Sequence, residues 1–308
     1  MANHETRSGW YVAPVMMLAA AIVMPLVTRM AGGGQTVDAR PLTMAERHAP
    51  APASLRLYVF DCGKLSIGDP SVYGFTKEDL STTDMSVACF LVAHPKGTLM
   101  WDVGTLPDDV FRSEGEAVTQ GRATVVKPLK AQLAEAGYVA ADITYLAMSH
   151  YHWDHTANAN DFARSTWIVE KADRDVMFSD PPPTATNIIP GHYSALRNSK
   201  TVILTGADYD VFGDGTVMIK FAPGHTPGHQ VLFLKLAKTG PVVLSGDLYH
   251  YPEERTQHHI PTTESNREQT AATRVAIEAF VMKTGAQLWI QHDFRANAKL
   301  KKAPDYYE

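Results

Sequence analysis

The sequence predicts an α/β fold in which two mixed β-sheets pack face to face with helices outside, an αβ/βα sandwich. Three observations lead there. Short apolar runs rich in β-branched and aromatic residues recur from residue 55 onward. They fall into two halves of similar plan, each strand-rich, then a helix, then a strand. Polar residues sit where the runs end, which in stacked sheets gathers them along one edge.

In chain order, "LRLYVFDCG" (55–63) reads as an apolar strand ended by Gly63. "MSVACFLVAHPKGTLMWDVG" (85–104) reads as a hairpin turning at Pro95-Lys96-Gly97. Residues 125–136 place Val125, Val126, Leu129 and Leu133 on one helical face, with Gly137 as cap. "ITYLAMS" (143–149) and "TWIVE" (166–170) are strands, the second followed by a helical stretch. "TVILT", "TVMIKFA", "QVLFLKLA" and "PVVLSGD" follow as strands between 201 and 247, with turns at Gly213-Asp214-Gly215 and Thr239-Gly240. A long helix comes next. Ser265 and Glu268 fit a capping box, Ala272, Val275, Ala276, Ala279 and Phe280 form one apolar face, and Gly285 stops it. "AQLWIQ" (286–291) is the last strand.

The N-terminus differs in kind. Residues 10–28 carry no charge, and Arg7 and Arg29 flank them. Pro14 and Pro25 confine the best helix to Val15–Met24, which suits a signal-peptide core better than a full membrane span. Residues 1–31 are therefore expected to be a signal peptide or an N-terminal membrane anchor. Either implies export, to a periplasmic or membrane-anchored location, with membrane association through that segment. Residues 32–54 have the Gly, Ala and Pro content of a linker, and the folded domain is expected over 55–308. A net charge of −5 offers no basic face to nucleic acid. Two cysteines, Cys62 and Cys89, cannot make a thiolate metal site; both lie in apolar strands and are expected to be buried thiols rather than a bridge.

The chemistry concentrates in "SHYHWDH" (149–155). Alternate residues of an extended chain point the same way, so His150 and His152 can grip one ion, and Asp154 and His155 a second. Imidazoles crowded there without a cation would repel if protonated and lack partners if neutral. Further candidates are His225 and His229 in "APGHTPGHQ", Asp247 in "LSGDLYH", His292 in "WIQHD" and Asp102 in "LMWDVG".

The ordered set "SHYHWDH", "PGHTPGH", "SGD" and "QHD" resembles the metallo-β-lactamase superfamily, over most of the chain from Leu55 to Asp293. Within it the chain is most similar to N-acyl-homoserine lactonases, on "RLYVFDCG", "LMWDVG", the aromatic inside "SHYHWDH", "GHTPGHQ" and "QHD". The resemblance implies the sandwich fold and two divalent ions, zinc by default. It assigns His150, His152 and His229 to one metal, Asp154, His155 and His292 to the other, and Asp247 as the bridge, leaving His225 structural. It implies opening of an acyl-lactone ring, a quorum-quenching activity, by a metal-bridging hydroxide. Asp154 or Asp247 would carry the proton, and Asp102 would orient a ligand imidazole. One departure stands out: some of these lactonases have a tyrosine three residues after the bridging aspartate, where this chain has His250 between Tyr249 and Tyr251. His250 or Tyr249 is the expected donor to the oxyanion, and Trp153 is either a wall for the acyl chain or core packing. The alternatives are a β-lactam, thioester or other ester substrate on the same fold, or a metal-binding module without activity.

Overall fold

The computed structural model describes residues 49–308 apart from positions 114 and 186. The expected leader (1–31) and most of the expected linker (32–54) lie outside the described residues. Fourteen strands and six helices follow in chain order: β1 (Arg56–Ser66), β2 (Asp84–His94), β3 (Gly97–Trp101), β4 (Val118–Gln120), β5 (Ala123–Val125), α1 (Leu129–Glu135), β6 (Tyr145–Ala147), α2 (Trp153–Thr156), β7 (Thr166–Glu170), α3 (Lys171–Met177), β8 (Thr201–Leu204), β9 (Tyr209–Asp210), β10 (Val217–Phe221), β11 (Gln230–Leu236), β12 (Gly240–Leu244), α4 (Pro252–Gln257), α5 (Arg267–Thr284), β13 (Gln287–Trp289), α6 (Phe294–Asn297) and β14 (Tyr306–Tyr307). The first sheet runs β4-β5-β1-β2-β3-β6-β7-β8, with β14 also on β1; the second runs β13-β12-β11-β10-β9. Both are mixed, as expected: β3, β6, β7 and β8 are parallel, as are β12 and β13, and the other pairs are antiparallel.

Strand periodicity builds the layers. On β1, Leu57 and Val59 face the second sheet, while Tyr58, Phe60 and Cys62 face the outer helices. On β11, Leu232 and Leu234 face the first sheet, and Val231 and Phe233 pack against Ile277 and Val281 of α5. The inner strands thus bury both faces, which is why they read as unbroken apolar runs. Each such side chain contributes roughly 1.5–3 kcal/mol of burial.

Four local expectations change. Gly63 does not end β1; the strand runs on to Ser66 through a bulge between Asp61 and Lys64. The first helix begins only at Leu129, because Pro128 holds an extended ψ at its N-cap and Val125 already pairs in β5. The long helix is capped by Asn266, whose side chain accepts from the backbone N–H of Gln269, and Gly285 closes it in the left-handed region as expected. Its buried face is Thr270, Thr273, Arg274, Ile277 and Val281, whereas Val275 is 72% exposed. Polar groups occupy that face because each is matched: Thr273 donates to the Pro223 carbonyl and Arg274 pairs with Glu254.

Cys62 and Cys89 form a disulfide between β1 and β2, not two thiols. Cys89 lies opposite Phe60, beside the bulge that contains Cys62, and the two Cα atoms stand 5.8 Å apart, inside the range a bridge needs. Replacing both with alanine will lower the unfolding free energy by about 3 kcal/mol, as expected for opening a loop of this length. Denaturant midpoints with and without reductant check this, and an unmoved midpoint would contradict it.

Candidate metal centre

Strand ends from both sheets meet at one edge and deliver the polar residues. β3 ends into Asp102, β6 into Ser149 and His150, β10 into the His225 loop, β12 into Asp247 and β13 into Gln291 and His292. After β6 the chain bends over residues 149–152 and enters α2 from an extended His152, which brings His150 Nε2 within 2.9 Å of His152 Nδ1 while Asp154 and His155 lie on the helix. Two glycines permit the close approach. Gly224 (φ +135°) lies on the first turn of α5, where a Cβ would come 2.4 Å from the Thr270 nitrogen. Gly246 (φ +51°) would place a Cβ 2.6 Å from His229 Nε2.

The potential ligand atoms form two groups at Asp247, beside a third, His225, His250 and Glu264, that shares His225. His150, His152, His225 and Asp247 make one, and Asp154, His155 and His292 the other. Asp247 stands between them. Its Oδ2 lies 3.6, 3.3 and 3.3 Å from Nε2 of His150, His225 and His250, and its Oδ1 lies 3.1 Å from Nε2 of both His155 and His292. Asp154 Oδ2 faces His292 Nε2 at 3.6 Å and His155 Nε2 at 3.8 Å.

This donor set fits a cation in each group. His152 Nδ1 lies 2.9 Å from His150 Nε2 and 3.0 Å from His225 Nε2, so three ring nitrogens converge on one point. His155 Nε2 and Asp247 Oδ1 are buried and meet no hydrogen-bond geometry among the described residues. The other nitrogen of each converging ring is held from behind: His150 by Ser149 Oγ, His152 by the Asn187 amide, His155 by Asp102, His225 by Glu264 and His292 by the Ser86 carbonyl. Outer partners of this kind orient ligand imidazoles. Burial and neighbouring imidazoles push His150 and His152 well below the usual range, leaving them neutral. Burial opposes charge on His155, yet Asp247, Asp102 and Asp154 overcome it and hold the ring well above that range. Burial likewise opposes ionisation of Asp247, and His292, His155 and His150 outweigh it. Anionic oxygen facing imidazole nitrogen is the charge pattern that a cation replaces protons in.

Three expected positions are corrected. His229 does not reach either group: its Nδ1–H donates to the Ala222 carbonyl at 2.8 Å and its Nε2 accepts from the Asp247 backbone N–H at 3.0 Å. Burial and His225 push it down to about 4, so it is a neutral brace for the Asp247 turn. His225, expected to be structural, takes the place instead. Tyr249 faces away, its hydroxyl donating to Glu278 at 3.1 Å on the outer side of α5. His250 does stand in the site, between Asp247 and Glu254. Trp153 lines the cavity, packs on the core and carries the Arg122 guanidinium 5.4 Å over its ring.

Asp102 is fully buried in the left-handed region (φ +55°), a strain tolerated where surroundings dictate it. It accepts from the Ser149 N–H at 2.6 Å and from Gln291 Nε2 at 2.7 Å, and meets His155 Nδ1 at 3.0 Å. Asp102→Ala will therefore weaken cation retention about 10–100-fold, measured by chelator competition; unchanged retention would remove its orienting role. Gln291, Glu264, Asn187, Tyr73 and Arg122 were not singled out from sequence. Gln291 had a signal, since it directly precedes His292; the others lie in loops without a motif.

A layered sandwich whose strand ends gather imidazoles and carboxylates into two adjoining cation sites is the architecture of a metal-dependent hydrolase. Residues 82–292 match the metallo-beta-lactamase superfamily model, and the chain belongs to that superfamily. It is 27% identical over 263 residues to the N-acyl homoserine lactonase AttM of Azorhizobium caulinodans, covering 82% of this chain and 99% of that protein. An N-acyl homoserine lactonase from a Bacillus species is 26% identical over 258 residues, covering 82% and 98%. The fold is similar to that of an N-acyl homoserine lactone hydrolase holding N-hexanoyl-L-homoserine at its metal center, with TM-score 0.66, 22% identity and coverage of 82% and 98%. It is also similar to AidC, a dizinc quorum-quenching lactonase, with TM-score 0.58, 18% identity and coverage of 82% and 94%.

Proposed function

We propose that this chain is a two-metal hydrolase that opens the lactone ring of N-acyl-homoserine lactones, and so a quorum-quenching enzyme. The observation that carries the reading is Asp247, whose two oxygens face two separate ligand groups. In this reading His150, His152 and His225 would hold one cation, Asp154, His155 and His292 the other, and Asp247 would serve both. The chemistry supplied there would be a water of pKa about 7 and a polarised carbonyl. The dizinc neighbour and the nitrogen–oxygen ligand set favour zinc. Asp154, which lines the cavity, would take the proton released by the attacking water and pass it to the departing alkoxide. Trp153 walls the cavity, of about 260 Å³, on the side where an acyl chain would lie.

The test is a substrate panel on metal-loaded protein: acyl-homoserine lactones of graded length beside a β-lactam, a thioester and simple esters. Ring opening of the lactones in preference to the rest is the expected result; turnover of the β-lactam or thioester alone would overturn it. We also read the chain as exported, since the disulfide suits an oxidising compartment. Recovery of the protein only from the cytosolic fraction, with both cysteines reduced, would oppose that.

A further inference from the structure

We propose that Tyr73 is a catalytic residue, its phenol donating the hydrogen bond that meets the negative charge developing on the substrate carbonyl oxygen. The proposal rests on the lactonase reading and adds a residue from a segment far from the motifs. Tyr73 lines the same cavity as Asp247, His250 and His292, with its ring centroid 4.8 Å from that of His250. The residue is only 9% exposed, and its hydroxyl makes no hydrogen bond among the described residues.

The other phenols and the imidazole beside Tyr73 are already committed. Tyr249 donates to Glu278, and Tyr251 donates to the Thr83 carbonyl at 2.9 Å. His250 has one ring nitrogen 3.2 Å from Glu254 and the other 3.3 Å from Asp247. A donor to an oxyanion has to be in place before charge develops, and the fold holds Tyr73 so. Its ring is pinned edge-on by Tyr251 at 5.3 Å. Its turn, Ser71–Tyr73, is tied to the loop after α4, where the Thr262 N–H donates to the Val72 carbonyl at 2.7 Å. Phe75 stacks on His259 of that loop at 4.5 Å. A buried phenol with a fixed ring and a spare hydroxyl on the reacting cavity is a donor awaiting an acceptor.

Tyr73→Phe tests this, because it keeps the ring packing and removes only the hydroxyl. The expected result is a fall in kcat of about 100-fold, with KM, cation content and Tm unchanged. A cyclic phosphonate mimic of the tetrahedral species should lose affinity by a similar factor, while an unreactive lactam analogue binds as before. A role in packing alone predicts wild-type kcat and phosphonate affinity for Tyr73→Phe, and either result overturns the proposal. A wild-type enzyme inert on every acyl lactone overturns the functional reading and Tyr73 with it. An active wild type matched by Tyr73→Phe overturns Tyr73 alone.

Discussion

Asp247→Ala will yield a folded protein that no longer retains two cations and turns over lactone at least about a thousandfold more slowly, a barrier increase of roughly 4 kcal/mol. The physical reason is its position. Five imidazole nitrogens, drawn from both ligand groups and from His250, lie within 3.6 Å of its two oxygens. On the proposed two-metal reading, removing it takes away a ligand from each cation and the negative charge that draws both. Asp247→Asn separates these effects, since it keeps the shape of the side chain and removes only the charge. Metal per chain by elemental analysis after dialysis, together with kcat/KM, checks both variants. Full metal content with near-normal turnover in either would remove the bridging role.

Much of this centre was legible in the sequence because it lies on strand ends, and strands announce themselves. "SHYHWDH" follows an apolar run, so the alternation that points His150 and His152 together could be read directly. Asp247 and His292 follow runs of the same kind. What was illegible depends on contacts across the fold. Whether Cys62 meets Cys89 turns on which strand neighbours β1 and in what register, and composition is silent on both. Periodicity picks the apolar stripe of α5 as its core face because it counts Val275 and not the polar residues that find partners; of that stripe, Phe280 packs inward, on Phe233. Thr273 and Arg274 bury themselves by matching Pro223 and Glu254, which lie 50 and 20 residues away. Tyr73 is the extreme case: nothing in "SVYGF" marks it, and its interest comes wholly from what β12 and the following turn set beside it.

The choice between the two histidines of "GHTPGH" makes the second large prediction. A tight loop fixed by Pro and Gly presents both, and spacing alone does not say which turns inward. The structure separates them by hydrogen bonding: His225 offers Nε2 to the cluster with Nδ1 backed by Glu264, whereas both nitrogens of His229 are spent on backbone groups. His225→Ala is therefore expected to lose one cation per chain and at least about a thousandfold in rate, or roughly 4 kcal/mol. His229→Gln should keep both cations. It loses stability of about 1–3 kcal/mol from imperfectly matched backbone groups and at most about 100-fold in activity, because it acts through the turn that aims Asp247. Metal stoichiometry decides between them independently of rate. If His229→Gln sheds a cation while His225→Ala retains both, the inward ring is the other one, and the brace on Asp247 has been assigned to the wrong histidine.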